Sequence, residues 1–92
     1  MNPITNNIER SRFETEVDGL PGFVEYRLFD GGIIYSHTEV DPGLGGKGVG
    51  SLLAKYVLDY ARDQGLKVIV TCPFIKVYIK RHPEYAPLTN LA

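Results

Sequence analysis

Five of the ten glycines fall between Gly43 and Gly50, in the run Val40-Asp41-Pro42-Gly43-Leu44-Gly45-Gly46-Lys47-Gly48-Val49-Gly50-Ser51. No other stretch constrains the fold as tightly. The apolar, β-branched residues 33–40 stop just before it, at Asp41-Pro42, and a helical pattern starts inside it. Glycine lets the backbone take positive φ and lets another group come close. The first amides of a helix have no partner within the helix, and with the helix dipole they make an anion site. Lys47 adds a mobile positive charge at the rim. The run therefore reads as the seat of a phosphate-bearing cofactor on residues 46–51, against the plainer alternative of a glycine-rich turn with no ligand.

Two familiar phosphate motifs do not fit. Gly43-x-Gly45-x-x-Gly48 matches the dinucleotide fingerprint in form, but that motif needs an acid about 20 positions further on. The corresponding region here is Lys67-Val68-Ile69-Val70. The nucleotide-triphosphate loop ends in Gly-Lys-Ser/Thr, whereas Lys47 is followed by Gly48.

Ninety-two residues support a single domain, 1–92, with one modest core. A net charge of −1, with no basic run beyond Lys80-Arg81, lacks the electrostatic footprint of a nucleic-acid binder. Cys72 is the only cysteine, so no internal disulfide can form and a reducing compartment is compatible. No apolar run approaches the ~18 residues of a membrane helix. Residues 1–7 lack the basic and apolar regions of a signal peptide, so the expected location is the cytoplasm, with no membrane partner and no metal site.

Along the chain, residues 1–7 are polar and read as loose. Residues 12–17 alternate, Phe13, Thr15 and Val17 against Arg12, Glu14 and Glu16, as a half-exposed strand does. Asp18-Gly19-Leu20-Pro21-Gly22 is turn chemistry. Residues 23–29 alternate again, and Asp30-Gly31-Gly32 closes a tight hairpin. In the third strand, 33–40, strict alternation places Ile33, Tyr35, His37 and Glu39 on one face and Ile34, Ser36, Thr38 and Val40 on the other. Residues 48–64 predict a helix with an apolar stripe of Val49, Leu52, Leu53, Tyr56, Val57, Tyr60 and Ala61. Gly65 suits the position after its end, with Leu66 folding back on the last turn. The continuous apolar run 67–72 reads as a strand buried on both faces, parallel to the third because a helix joins them. Pro73 suits the first turn of a second helix that Pro83 ends; the β-branched and aromatic residues within 74–79 also allow a strand, but Pro73 cannot donate a ladder bond. Residues 82–88 read as an irregular tail, and 89–92 carry no signal. The expected fold class is α/β in the α+β sense: a mixed sheet, βββ-α-β-α, with an antiparallel meander and one parallel strand.

That order, with the glycine loop between the third strand and the first long helix, resembles the GCN5-related N-acetyltransferases (GNAT). It is most similar to their short YjdJ-like and NATD1-like domains, as a minimal version of the fold. The resemblance is carried by His37-Thr38-Glu39-Val40, Gly46-Lys47-Gly48-Val49-Gly50-Ser51-Leu52-Leu53, Thr71-Cys72-Pro73-Phe74 and Tyr78-Ile79-Lys80-Arg81-His82-Pro83-Glu84-Tyr85. The family loop pattern is Gln/Arg-x-x-Gly-x-Gly/Ala. Gly48-Val49-Gly50 fits its second half, while Gly45 stands where the family has Gln or Arg and so removes one polar contact. The resemblance implies acetyl-coenzyme A as cofactor, with the pantetheine arm entering a gap where the third strand and the strand at 67–72 splay apart. The residues it places around the cofactor are Thr38, Val40, Gly45, Gly46, Lys47, Gly48, Val49, Gly50, Ser51, Cys72 and Tyr78. Larger members carry one or two helices between their first two strands. Only Asp18 to Gly22 lies there in this chain, which predicts an open acceptor site.

Acetyl transfer to an amine needs a deprotonated amine, a polarised carbonyl and a proton for the leaving thiolate. The resemblance puts Tyr78 where a tyrosine protonates the thiolate; a core tyrosine is the alternative. Glu39 and His37 share a strand face and either can take a proton from an amine, against the plainer readings of a surface carboxylate and a structural histidine. Cys72 ends the parallel strand, where ligands gather in such sheets, and is a candidate acyl carrier or an inert buried thiol. Two function classes follow: an N-acetyltransferase acting on a small amine or exposed amino group, and a coenzyme A-binding module without meaningful catalysis. The sequence does not name the acceptor or the oligomeric state.

Overall fold

The computed structural model describes residues 3–91. Five strands, β1 (Thr5–Asn7), β2 (Arg12–Val17), β3 (Leu20–Phe29), β4 (Gly32–Val40) and β5 (Lys67–Val70), form one sheet in chain order. β1 to β4 are antiparallel neighbours, and β5 runs parallel to β4. Helix α1 (Val49–Asp63) makes the crossover between the parallel strands, and helix α2 (Pro73–Arg81) follows β5. This is the expected βββ-α-β-α order with one strand added at the front.

The added strand corrects the expectation of a loose N-terminus over residues 5–7; residues 1–2 lie outside the described residues. Its side chains hold it in place by hydrogen bonds rather than apolar burial. Asn7 Nδ2 donates to Glu14 Oε1 at 2.9 Å, and the Tyr26 hydroxyl donates to Asn6 Oδ1 at 2.6 Å. The first hairpin is also tighter than the turn composition implies. Asp18 and Gly19 alone make the turn, both at positive φ (53° and 77°), the pattern whose twist matches paired strands. β3 therefore begins at Leu20. Pro21 sits opposite Glu16, one step from the closing pair Val17–Leu20, where the ladder asks no hydrogen bond of it on the β2 side.

The β3–β4 register shifts once. Tyr26 faces Tyr35 and Glu25 faces His37, so Ser36 is an extra residue in β4, a bulge. The bulge reverses the alternation beyond it. Ile33 and Tyr35 share the helix-covered face with Thr38 and Val40, while His37 and Glu39 join Ile34 on the opposite face. The uniform alternation expected for 33–40 is thereby corrected.

α1 buries Val49, Leu53, Ala54, Val57, Leu58 and Ala61 against the sheet. Leu52 and Tyr56, placed in the apolar stripe by spacing, stay 39% and 41% exposed. The buried stripe is turned towards Ala54 and Leu58 because α2 and the following turns lie beside α1. The Phe74 ring rests on Gly50, and the Tyr85 hydroxyl donates to Asp59 Oδ1 at 2.6 Å. α1 ends as expected: Gly65 takes φ 68°, and Leu66 N donates back to Ala61 O at 2.9 Å. The segment read as an irregular tail is a 3₁₀ helix, Pro83–Leu88, with Tyr85 buried. Beyond it, Asn90 works as an edge partner for β5. Its Oδ1 accepts from Val70 N at 2.9 Å and its N donates to Val68 O at 3.1 Å, covering an edge that is otherwise open to other chains.

Candidate functional site

The parallel pair β4–β5 stops at Tyr35–Val70. The reason lies in one carbonyl. Tyr35 O accepts from Thr71 N at 3.1 Å and from Cys72 N at 3.2 Å, which turns the chain off the ladder and into α2. β5 thus ends at Val70, two residues short of the run read from sequence. β4 continues through residues 36–40 with no strand on that side, so the two strands part as a fork. Tyr35 seals its base: the side chain is fully buried and its hydroxyl donates to Val57 O at 2.5 Å. Burial pushes the Tyr35 phenol far above its ordinary value. Inside the fork, Thr38 Oγ1 and Cys72 Sγ lie 3.3 Å apart.

Beside the fork stands the N-terminus of α1. The loop leading to it is folded by its own backbone. Asp41 Oδ1 accepts from Gly43 N at 2.8 Å, Gly45 N donates to Pro42 O at 3.1 Å, and Lys47 N donates to Leu44 O at 3.1 Å. Gly46 and Gly48 then take φ 80° and 74°, and a Cβ on either would meet nothing within 4 Å. Among the described residues, no acceptor meets the amides of Gly46, Gly48, Val49, Gly50 or Ser51, and the first turn of α1 carries no acid. Five free donors at the positive end of a fifteen-residue helix, over open space, suit a phosphate group. Two expectations for this loop change. Lys47 is not a mobile charge, because it pairs with Asp18 at 2.8 Å and straps the loop to the β2–β3 turn. That bond, reinforced by the lysine's charge, holds the Asp18 carboxyl below its ordinary value. Gly50 has a second reason to be glycine, since a Cβ there would stand 2.7 Å from Phe74 Cζ.

His37 and Glu39 stand together on the face without helices, Nε2 to Oε1 at 3.6 Å, with side chains 52% and 63% exposed. Cys72 is buried at the N-cap of α2 and touches Thr38 on the helix-covered side. The two pairs therefore flank the same stretch of β4 from opposite faces. Tyr78 is buried on α2, stacked on His82 at 4.3 Å between centroids and near Tyr85 at 6.2 Å. Burial raises the Tyr78 phenol above its ordinary value, against Lys55 and with Asp59 and Glu84, so it stays protonated at neutral pH. Sequence reasoning gave no role to Phe74 or to the Tyr85–Asp59–Lys55 chain. The one available signal for Phe74 was Gly50, an otherwise costly glycine inside a helix. Among the described residues no group of three or more His, Cys, Asp or Glu side chains could hold a metal ion, and no helix is long and apolar enough to cross a membrane.

Comparison with known proteins identifies the family that shares this fold. The sequence profile of the GCN5-related N-acetyl-transferase family matches residues 12–88. Protein NATD1 of Gallus gallus is 40% identical over 87 residues, covering 87% of this chain and 76% of that protein. Protein NATD1 of Mus musculus is 30% identical over the same length and coverage. The solution NMR structure of a GCN5-like protein of Staphylococcus aureus, described as a candidate N-acetyltransferase, superposes with a TM-score of 0.72 at 32% identity. That superposition covers 95% of this chain and 86% of the other, and the mixed sheet with its one parallel pair matches. The chain belongs to the GCN5-related N-acetyltransferase family.

Proposed function

We propose that this chain, as a single domain, is an acetyl-coenzyme A-dependent N-acetyltransferase acting on a small amine or an exposed amino group. The cytoplasm is its expected location, where the lone thiol of Cys72 stays reduced. The observation that carries the reading is one juxtaposition. A cradle of unpartnered amides at the start of α1 adjoins the fork that opens beyond Tyr35 and Val70. The donor set fits the cofactor: the amides of Gly46 and residues 48–51 would hold its pyrophosphate, with Gly45 and Lys47 shaping the rim. Thr38, Val40 and Cys72 would line the path of its arm. When bound, acetyl-coenzyme A supplies an acetyl thioester.

Glu39 or His37, on the open face, would take the proton that the amine gives up. The buried Tyr78 phenol, protonated at neutral pH as any tyrosine is, would supply the proton that the leaving thiol needs. Cys72 lies inside the fork, and direct transfer needs no cysteine nucleophile.

A binding module without turnover is the second reading. It is favoured by the exposure of His37 and Glu39, which no helix walls in. Incubation with acetyl-coenzyme A and a panel of amines separates the two, following free thiol release together with the mass of the protein. Direct transfer predicts thiol release with amine, no acetyl adduct on the protein, substantial activity in Cys72→Ala, and a lowered kcat with unchanged cofactor affinity in Tyr78→Phe. An adduct that disappears in Cys72→Ala would instead establish an acyl-cysteine route. Coenzyme A binding without acetylation of any amine would establish the module.

A further inference from the structure

Helix α2 carries Lys76, Lys80 and Arg81 within nine residues, and no acid. Lys80 and Arg81 suit the negative end of the helix, but Lys76 lies one turn earlier. Like charges four residues apart oppose a helix. On α1 the same spacing is satisfied, because Lys55 pairs with Asp59 at 2.7 Å. Among the described residues no acid pairs with Lys76 or Lys80. Both lysines line a groove of about 640 Å³ between α2 and the segment that follows it, with Val77, Pro83, Ala86 and Leu91 among its apolar walls. Val77 and Leu91 are 49% and 38% exposed. Apolar side chains left open in a patch with a polar rim mark an interaction site. None of the residues assigned to the cofactor lines this groove.

We propose that the groove docks an acidic, amphipathic segment of a partner protein. Its apolar side chains seat against Val77, Ala86 and Leu91, and its carboxylates face Lys76 and Lys80. The charges choose the occupant. A second copy of this chain docked by the same face would set lysines against lysines across a twofold axis. A flat membrane surface meets side chains that project, whereas Val77 and Leu91 line a hollow. The chain as a whole carries a net charge of −1, so two unmatched lysines on one apolar groove are a local departure that selects an acidic partner. Burial of the apolar anchors holds the segment, and the lysines at the rim set its orientation and exclude basic competitors.

The test selects a random peptide library against the whole chain and titrates the strongest binder calorimetrically. The selected peptides interleave acids with apolar residues. The charge-reversed variant Lys76→Glu/Lys80→Glu binds that peptide about tenfold or more weakly, and Lys76→Gln/Lys80→Gln falls between it and wild type. Added salt weakens the wild-type complex. Thermal midpoints recorded alongside confirm that both variants are folded. A selection that yields no acidic peptides overturns the proposal, and so does a charge-reversed variant that binds at wild-type strength. Phosphatidylserine vesicles that bind wild type but not the charge-reversed variant, with no peptide enriched, would give the surface to a membrane instead. A dimer seen by sedimentation and lost in that variant would give it to a second copy. Either result overturns the acidic segment as occupant.

Discussion

Below Tyr35 the β4–β5 pair is closed. Residues 32–35 stand in register with 67–70, and Ile33, Tyr35, Val68 and Val70 are each no more than 1% exposed. Above Tyr35 the same strand has no partner on that side, and its residues alternate between Thr38 and Val40 on one face and His37 and Glu39 on the other. The transition needs one inserted residue, Ser36, and one carbonyl, Tyr35 O, that accepts two amides at once. A rigid half and an open half built on one strand give a small domain a fixed gap without a large core. The closed half resists collapse of the gap, and the open half carries the proposed site.

Substitutions in the closed half carry the largest expected effects. Tyr35→Ala removes a fully buried ring and should cost about 4 kcal/mol, a large share of the stability of a domain this size. Tyr35→Phe removes only the hydroxyl bonded to Val57 O and should cost about 1 kcal/mol. Urea denaturation measures both. Equal small losses would mean that the base of the fork is not the packed wedge described above.

In the open half the effects move from stability to binding. Gly48→Val forces a β-branched side chain to φ 74°, at a strain of about 1–2 kcal/mol, and projects it into the space over the free amides. Coenzyme A binding should be lost while circular dichroism still reports a folded chain. Gly50→Ala carries no such φ strain but displaces the Phe74 ring, so its loss of coenzyme A affinity should be smaller. Identical losses for the two variants would mean that the positive φ of Gly48 does not set the cradle.

Asp59 joins the regions by fastening the Pro83–Leu88 turns to α1. Burial pushes its carboxyl up, but bonds from Lys55 at 2.7 Å and Tyr85 at 2.6 Å outweigh that, and the folded value lies below the ordinary 3.8. A depressed folded value contributes stability above the unfolded value, lost as pH falls through the folded one. Asp59→Asn should therefore cost about 1 kcal/mol at neutral pH, and the gap to wild type should close below about pH 4. A difference independent of pH would exclude the charge as its source. The smallest effect is expected at Lys47→Ala, since the lysine is already paired with Asp18 at the surface. Coenzyme A affinity should fall about fivefold or less.

Local chemistry made most of the fold legible. Alternation in 12–17, turn chemistry around Asp18-Gly19 and Asp30-Gly31, Gly65 after α1 and Pro73 at the first position of α2 each report a short-range preference that the structure keeps. What escaped depends on partners distant in sequence. Ser36 looks like any strand residue until β3 fixes the register on both sides of it. Thr5–Asn7 form a strand through bonds to Glu14 and Tyr26 that composition does not reveal. Leu52 and Tyr56 fit the helical period, but the side of α1 that is covered depends on where α2 comes to lie. The cradle was legible because helix-end amides and glycine φ preferences are local properties. The contact between Phe74 and Gly50 was not, because it joins two helices.

Titration of ¹⁵N-labelled protein with coenzyme A, followed by amide chemical shifts, tests the shared site of cradle and fork most directly. The largest changes should fall on Gly46, Gly48, Val49, Gly50 and Ser51, with a second group at Thr38 and Cys72, and residues 32–34 and 67–69 of the closed half unmoved. No shifts at saturating coenzyme A, or shifts centred away from these two groups, would contradict the account.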